Sequence, residues 1–380
     1  MNWEEVEFSQ VVESSAFGPR FSGRNYADDG NVAALRTTDM SESGTICYET
    51  MPLARLEKSK FEKHFLEIND IVISRSGRIG TTGIFEGFDI PVLPGAFLIR
   101  FRLRKSVNPL FFKYFFNSHV GKQRLLSIAR GAAQQNITST SVLKLPVPFP
   151  KRYVQDEITS ILSSYDDLID NNNRRIALLE ESVHRLYREW FVHLRFPGHE
   201  RVTVRDGVPE GWKKGLLDQA LLLQRGFDLP KRKRKLGTVP IYASTGINGF
   251  HNVAKVKGPG IVTGRSGTLG TVMYVHGDFW PLNTALWVKE FRKVTVTIAY
   301  FLLSNMDLSS YRGGAAVPTL NRNAVHAVEI LLPTEALQAQ FDSVAVPVLE
   351  QTQLLTRYNQ QLCEARDRLL PRLMNGTLTP

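Results

Sequence analysis

Two stretches of the chain place apolar residues at seven-residue intervals. In the first, Tyr165, Asn172, Leu179 and Leu186 form one row, and Ile169, Ile176, Val183 and Trp190, offset by four, form the other. This a/d spacing keeps one seam facing a partner helix for almost four heptads and predicts a long helix, interrupted only by the polar Asn172. Ser163 or Ser164 is placed to cap its start, with Asp166, Asp167 and Asp170 complementing the helix dipole there. The second stretch lines up Val348, Leu355, Leu362 and Leu369 beside Thr352, Asn359, Arg366 and Leu373, with Pro347 where a first helical residue would stand. Its second row is more polar, so its apolar stripe is narrower. Two such helices can pair lengthwise. Both also carry large apolar residues that the pattern leaves exposed, Tyr187, Trp190 and Phe191 on one and Leu370, Leu373 and Met374 on the other. These predict docking surfaces for helices of a partner, or else residues that complete the intramolecular pair.

The residues ahead of each helix follow a different pattern. Short β-branched runs such as Ile71-Val72-Ile73 and Ile261-Val262 are bounded by glycines, as in short strands joined by tight turns. A smaller helix is predicted in each region, at 109–118 (PLFFKYFFNS) and at 298–306 (IAYFLLSNM). The globular parts are therefore mixed α and β.

The order of these elements is the same in both halves, because the chain is an internal repeat. Arg75-Ser76-Gly77 with Gly80 returns as Arg265-Ser266-Gly267 with Gly270. ARGAAQQNIT (129–138) has its counterpart in YRGGAAVPTLN (311–321), and YVQDEITSIL (153–162) in ALQAQFDSVA (336–345). A hairpin turn with Gly77 or Gly267 at positive φ accounts for the glycines. It leaves the arginine, whose planar fork suits a phosphate or a guanine edge.

Composition bounds the class. A chain of 380 residues, 43% hydrophobic, can bury two cores. It has no apolar run of membrane-spanning length, and it opens on the acidic MNWEEVEF, without a leader, so the expectation is a soluble, cytoplasmic protein. Cys47 and Cys363 are too few and too far apart for a disulfide framework and read as reduced, structural thiols. The net charge of +10 favours polyanionic partners. Catalytic signatures are missing: GPRFSGRN (18–25) lacks the lysine and hydroxyl of a phosphate loop, and the eight histidines form no metal-ligand pattern. NPLF (108–111) approaches the tetrapeptide with which amino-methyltransferases hold a flipped adenine, but an Asn cap followed by Pro at a helix start explains it.

Together these features resemble the specificity subunit of type I restriction-modification systems. The resemblance covers essentially the whole chain. It rests on the duplicated R-S-G-x-x-G and RGxA segments, on LYREWFVHLRFPG (186–198) closing the first helix and on RLLPRLMNGTL (368–378) closing the second, with VPIYASTGINGFH (239–251), GPGIVTGRSGTLG (258–270) and DFWPLNTALWV (278–288) in support. What it implies is an α+β fold: two tandem, similar α/β target recognition domains, at 1–150 and 198–334, separated and joined by two long antiparallel coiled-coil helices, at 151–197 and 335–380. It further implies a non-catalytic chain that binds double-stranded DNA at a bipartite, asymmetric site, each domain reading one half. Two modification (methyltransferase) subunits, and restriction (translocase/nuclease) subunits, would be its partners. No cofactor would bind this chain; S-adenosylmethionine, ATP and Mg would belong to the partners.

Candidate DNA contacts are the polar residues of predicted loops. In the first half these are Arg20, Ser22, Arg24, Arg36, Arg75, Arg130, Gln134, Gln135 and Asn136. In the second they are the basic run Lys231, Arg232, Lys233 and Arg234, then Tyr242, Ser244, Asn248, Arg265, Arg312, Thr319 and Asn321. Arg suits guanine, Asn and Gln suit adenine, and the basic run suits phosphates. Asn136 and Asn248 could equally be turn formers. Three other readings stay open: a subunit serving a combined methyltransferase-nuclease, a self-contained enzyme, and a basic protein-interaction scaffold.

Overall fold

The computed structural model describes residues 3–131, 135–313 and 318–380. The chain forms two compact units, Met1–Asp170 with Asn359–Pro380, and Asn171–Tyr358.

The first unit contains β1 (Glu5–Glu7), β2 (Val12–Phe17), β3 (Val32–Leu35), β4 (Leu53–Ala54), β5 (Ile71–Ser74), β6 (Thr82–Ile84), β7 (Val92–Pro94), β8 (Leu98–Leu103), α1 (Pro109–Asn117), α2 (His119–Ser127), α3 (Ser139–Leu143) and β9 (Pro146–Pro148), followed by the start of α4 (Arg152–Tyr187). A four-stranded sheet runs in the order β2-β8-β5-β6, a three-stranded sheet in the order β4-β3-β7, and β1 pairs with β9. The β-branched run of β5 has no solvent-facing side. Ile71 and Ile73 pack with Phe8, Phe101, Phe111 and Phe116, while Val72 points the other way, to Leu35, Met40 and Phe85. Alternation of side chains along a strand thus places one sheet between two cores, which explains why the run is continuously apolar.

The second unit repeats this plan. After a short hairpin, β10 (Val204–Arg205) and β11 (Val208–Pro209), come β12 (Lys213–Leu216), α5 (Leu217–Ala220), β13 (Leu221–Arg225), β14 (Val239–Ala243), β15 (Gly246–His251), β16 (Gly260–Gly264), β17 (Val272–Val275), β18 (Trp280–Pro281), β19 (Ala285–Phe291), α6 (Val296–Ser304), β20 (Arg312–Gly313), β21 (Thr319–Leu320), α7 (Arg322–His326), β22 (Glu329–Leu332) and α8 (Glu335–Met374). Its sheets are ordered β13-β19-β16-β17 and β15-β14-β18, and β12 pairs with β22. Strand for strand this is the order of the first unit. The sole parallel pairing of each three-stranded sheet also matches, β3 with β7 and β14 with β18. Ile261 and Val262 again divide between two cores.

In the first unit α4 and α8 run antiparallel. Asp166 pairs with Arg366 at 2.6 Å, and three residues further along α4 the Ile169 carbonyl accepts from Asn359, seven residues earlier in α8. Ile158 and Leu162 share a core there with Leu373 and Met374. In the second unit Val183 and Tyr187 of α4 share one with Leu337, Phe341, Ala345 and Leu349 of α8. All eight positions of the first heptad seam are buried or half-buried, the polar Asn172 among the most buried.

Three expectations are corrected. The onset of the heptads at Tyr165 is not the helix start, which lies at Arg152, and the hydroxyls of Ser163 and Ser164, well inside the helix, donate to the Ser160 carbonyl instead of capping it. Pro347 likewise lies inside α8. The heptads begin late because the opening turns of each helix face a globular core instead of a helix. The apolar residues expected to be exposed are also largely enclosed: Tyr187, Trp190, Leu373 and Met374 are buried, and Phe191 and Leu370 are half-buried against the same cores. A five-residue π-turn, Arg188–Val192, closes α4 and directs Trp190 and Phe191 onto Phe341. Finally, Cys47 and Cys363 are free thiols, but Cys47 is exposed rather than packed. No helix among the described residues is long and apolar enough to cross a membrane.

Candidate nucleic-acid interface

The duplicated turn has the same backbone frame in both units. Gly77 and Gly80 have φ of 75° and 83°, and Gly267 and Gly270 have 85° and 89°, conformations that an L side chain avoids. The arginine ahead of each turn accepts, through its carbonyl, a backbone hydrogen bond from the RGxA segment: Ile137 N–H to Arg75 at 3.1 Å, and Leu320 N–H to Arg265 at 2.8 Å. The two motifs seen in the sequence are therefore one site per unit. In the first unit Arg130 and Asn136 close that segment by a reciprocal backbone bridge, and in the second Arg312 pairs with Leu320 and Gly313 with Thr319. Gln135 and Arg130 are exposed beside it. Gln134 lies outside the described residues.

Neither arginine is freely displayed, contrary to expectation. Both are half-buried; the Arg75 guanidinium lies 4.8 Å from the Phe17 ring centroid, and Arg265 Nη1 donates to the Asn283 carbonyl at 3.2 Å. In the second unit Arg265 opens into a shallow cleft of about 440 Å³ lined also by Arg225, Thr319, Asn321, Arg322 and Asn323. Sequence reading missed Arg225, Arg322 and Asn323. Arg322 and Asn323 adjoin the candidate Asn321, so proximity in sequence was the available signal; Arg225 arrives from β13, and nothing local marks it.

The remaining candidates divide by what their side chains already do. Arg20, Ser22 and Arg24 are exposed on a loop where Ser22 caps a 3-10 turn by accepting from Arg24 N–H. Arg36 is turned inward: its Nε and Nη2 bind the buried Asp39 carboxylate at 3.0 and 2.7 Å, and Nη2 also donates to the Thr50 carbonyl. Its fork is therefore occupied by the fold. Ser244 is buried beside the Arg265–Gly267 turn, and Tyr242 packs edge-on against Phe279 with its phenol held above its ordinary pKa by burial. Asn321 caps α7, accepting from Asn323 and Ala324 N–H. Asn108 caps α1 ahead of Pro109, as its helix-start reading requires.

The basic run is an ordered turn. Lys231, Arg232 and Lys233 are exposed on a single 3-10 turn. Arg234 folds back, donating from Nη1 to the Asn248 carbonyl at 2.5 Å and from Nη2 to Asn248 Oδ1 at 3.0 Å, and Lys235 N–H donates to His251 Nδ1 at 3.0 Å. The fourth cation is thus structural. Asn248 is a strand residue, not a turn former.

Known proteins carry the same organisation. Residues 1–181 match the family described as the type I restriction modification DNA specificity domain. The chain is 23% identical over 295 residues to the type I restriction enzyme MjaIX specificity subunit of Methanocaldococcus jannaschii, covering 70% of this chain and 68% of that one. It is 21% identical to the EcoprrI specificity subunit of Escherichia coli, with 92% and 91% covered. Among solved structures, the type I restriction-modification S subunit from M. genitalium superposes with a TM-score of 0.65 over 98% of this chain and 96% of that one, at 16% identity. The internal repeat, the two like units and these matches converge: residues 1–181 match the specificity-domain family, and the chain as a whole is similar to type I restriction-modification specificity subunits.

Proposed function

We propose that each globular unit of this DNA-recognition specificity subunit reads one half of a bipartite, asymmetric site on double-stranded DNA. The paired helices fix the interval between half-sites and dock two modification subunits, and restriction subunits complete the complex. The chain itself is not an enzyme. S-adenosylmethionine, ATP and Mg serve the partner subunits, where methylation and cleavage take place.

The observation that carries this reading is one scaffold bearing two different surfaces. The turn and its backbone bond to the RGxA segment are the same in both units, whereas the side chains around them differ: Gln135 and Asn136 in one, and Thr319, Asn321 and Arg322 in the other. A shared backbone frame positions, and differing base-edge contacts specify. The exposed Lys231, Arg232 and Lys233 supply phosphate contacts of the second unit.

Exchange of residues 1–150 for the corresponding domain of another family member tests the proposal, with adenine-methylation motifs read from host genomic DNA. One half-site should change and the other should remain. A simultaneous change in both would overturn it. Neutralising Lys231, Arg232 and Lys233 together should weaken binding to all duplexes alike and lower the slope of log affinity against log salt by about 3, measured by titration at several salt concentrations.

A further inference from the structure

We infer that Asn248 reads a hydrogen-bond acceptor on one base of the half-site contacted by the second unit, and that Arg234 is its positioning residue. This rests on the DNA-reading proposal above. Asn248 lies on β15, an edge strand of its sheet. The pairing with β14 passes from Tyr242–Ile247 to Pro240–Phe250, so Asn248 and Gly249 together oppose Ile241. That is a β-bulge, which bends an edge strand and re-aims a side chain. Gly249 sits there at φ 109°, and a Cβ on it would come within 3.2 Å of Arg234 Nη1.

The Arg234 fork grips the Asn248 carbonyl and Oδ1, so both the backbone and the side-chain plane of Asn248 are fixed. With Oδ1 engaged, its Nδ2, at the other corner of the same amide plane, donates to no described residue. The exposed cations Lys231, Arg232 and Lys233 stand just before the fork in sequence and would hold the flanking phosphates. A free amide contacts adenine by donating and accepting together; an amide whose oxygen is turned to Arg234 presents its NH2 to a base and reads by donation. Guanine N7 and O6, adenine N7 and thymine O4 fit, whereas cytosine presents only a donor in the major groove.

The test is selection from a pool of duplexes with randomised positions by the full chain assembled with its modification subunits, followed by sequencing of the bound fraction. Wild type should disfavour cytosine at one position of one half-site by at least ~5-fold. Asn248→Asp is isosteric and keeps the Arg234 partner while replacing the donor by an acceptor, so that position alone should shift toward cytosine. Arg234→Met and Arg234→Lys should flatten preference there equally, with Lys leaving the salt slope of binding unchanged; a purely electrostatic Arg234 would instead be rescued by Lys. A wild-type motif that no Asn248 or Arg234 variant alters would overturn this inference alone. Failure of the wild-type complex to enrich any motif would overturn the DNA-reading proposal itself.

Discussion

Arg36 illustrates how a side chain that looks available in the sequence is committed by the fold. Asp39, 1% exposed, accepts from the Arg36 backbone N–H, from its Nε and Nη2 and from Thr50 Oγ1. Removing the guanidinium leaves a buried carboxylate short of two charge-assisted bonds, offset in part because Arg36 itself is half exposed to water. Arg36→Met should therefore destabilise the protein by about 1–2 kcal/mol, seen in denaturant melts, while DNA affinity per folded molecule stays unchanged. The glycine turns were legible because positive φ is a local demand that the residue type answers. The Arg36–Asp39, Arg234–Asn248 and Ser244 contacts were not: the first is short-range but indistinguishable from a solvated pair, and the others join residues that only the tertiary fold brings together. Gln155 and Gln338 make the same point. Both are almost fully buried, each donating to a proline carbonyl and accepting the N–H of the residue that caps α1 or α6, at 2.8 and 3.0 Å. The repeat alignment pairs them, but a buried glutamine leaves no pattern of its own.

At the scale of elements, the heptad seam was readable because its period is set within one helix. Its starting point was not, since the first turns of α4 and α8 pack on strands and on α1 or α6, whose positions the period does not encode. The same blindness misplaced Pro347. Inside α8 it removes one N–H from the helix ladder and leaves the Ser343 carbonyl without its partner, on a face exposed to water. Facing solvent, that carbonyl can bond to water, so the residual cost is the strain and the missing bond. Pro347→Ala should raise stability by about 1–2 kcal/mol, at the low end of the cost of an interior proline because of that exposure, with a matching rise in thermal midpoint. Asp166 has a linked role at the other end of the pair, where it binds both Arg366 and the Tyr114 hydroxyl at 2.6 Å. Burial and this carboxylate push the Tyr114 phenol well above its usual pKa, keeping it a donor throughout the working range. The three carboxylates at 166, 167 and 170 thus include one that latches the C-terminal helix to the first unit, a use that a capping interpretation could not reveal.

For the whole molecule, repetition of fold does not bring repetition of response to acid. The second unit holds three histidines, His184, His276 and His326, whose pKa values are lowered, in each case first by burial. Arg188 adds to the effect at His184; Arg357 lowers and Glu350 raises at His276; Arg322 and Arg292 lower and Asp218 raises at His326. His326 also needs its neutral form, because Nε2 accepts the Leu223 N–H at 3.0 Å. The unfolded chain takes up protons at these positions near pH ~6.5, before the folded unit does, so stability is full above that value and is lost as pH falls toward the lowered folded pKa values. Hydrogen exchange followed residue by residue should show amide protection in 171–358 declining between pH 7 and 5.5. The ring of His184 stacks edge-on against Phe301 at 4.8 Å, so His184→Phe keeps an aromatic ring there while removing one titrating group. That variant should show a smaller acid-side loss than wild type. An equal loss in the two would mean that desolvation of His184 is not among its causes.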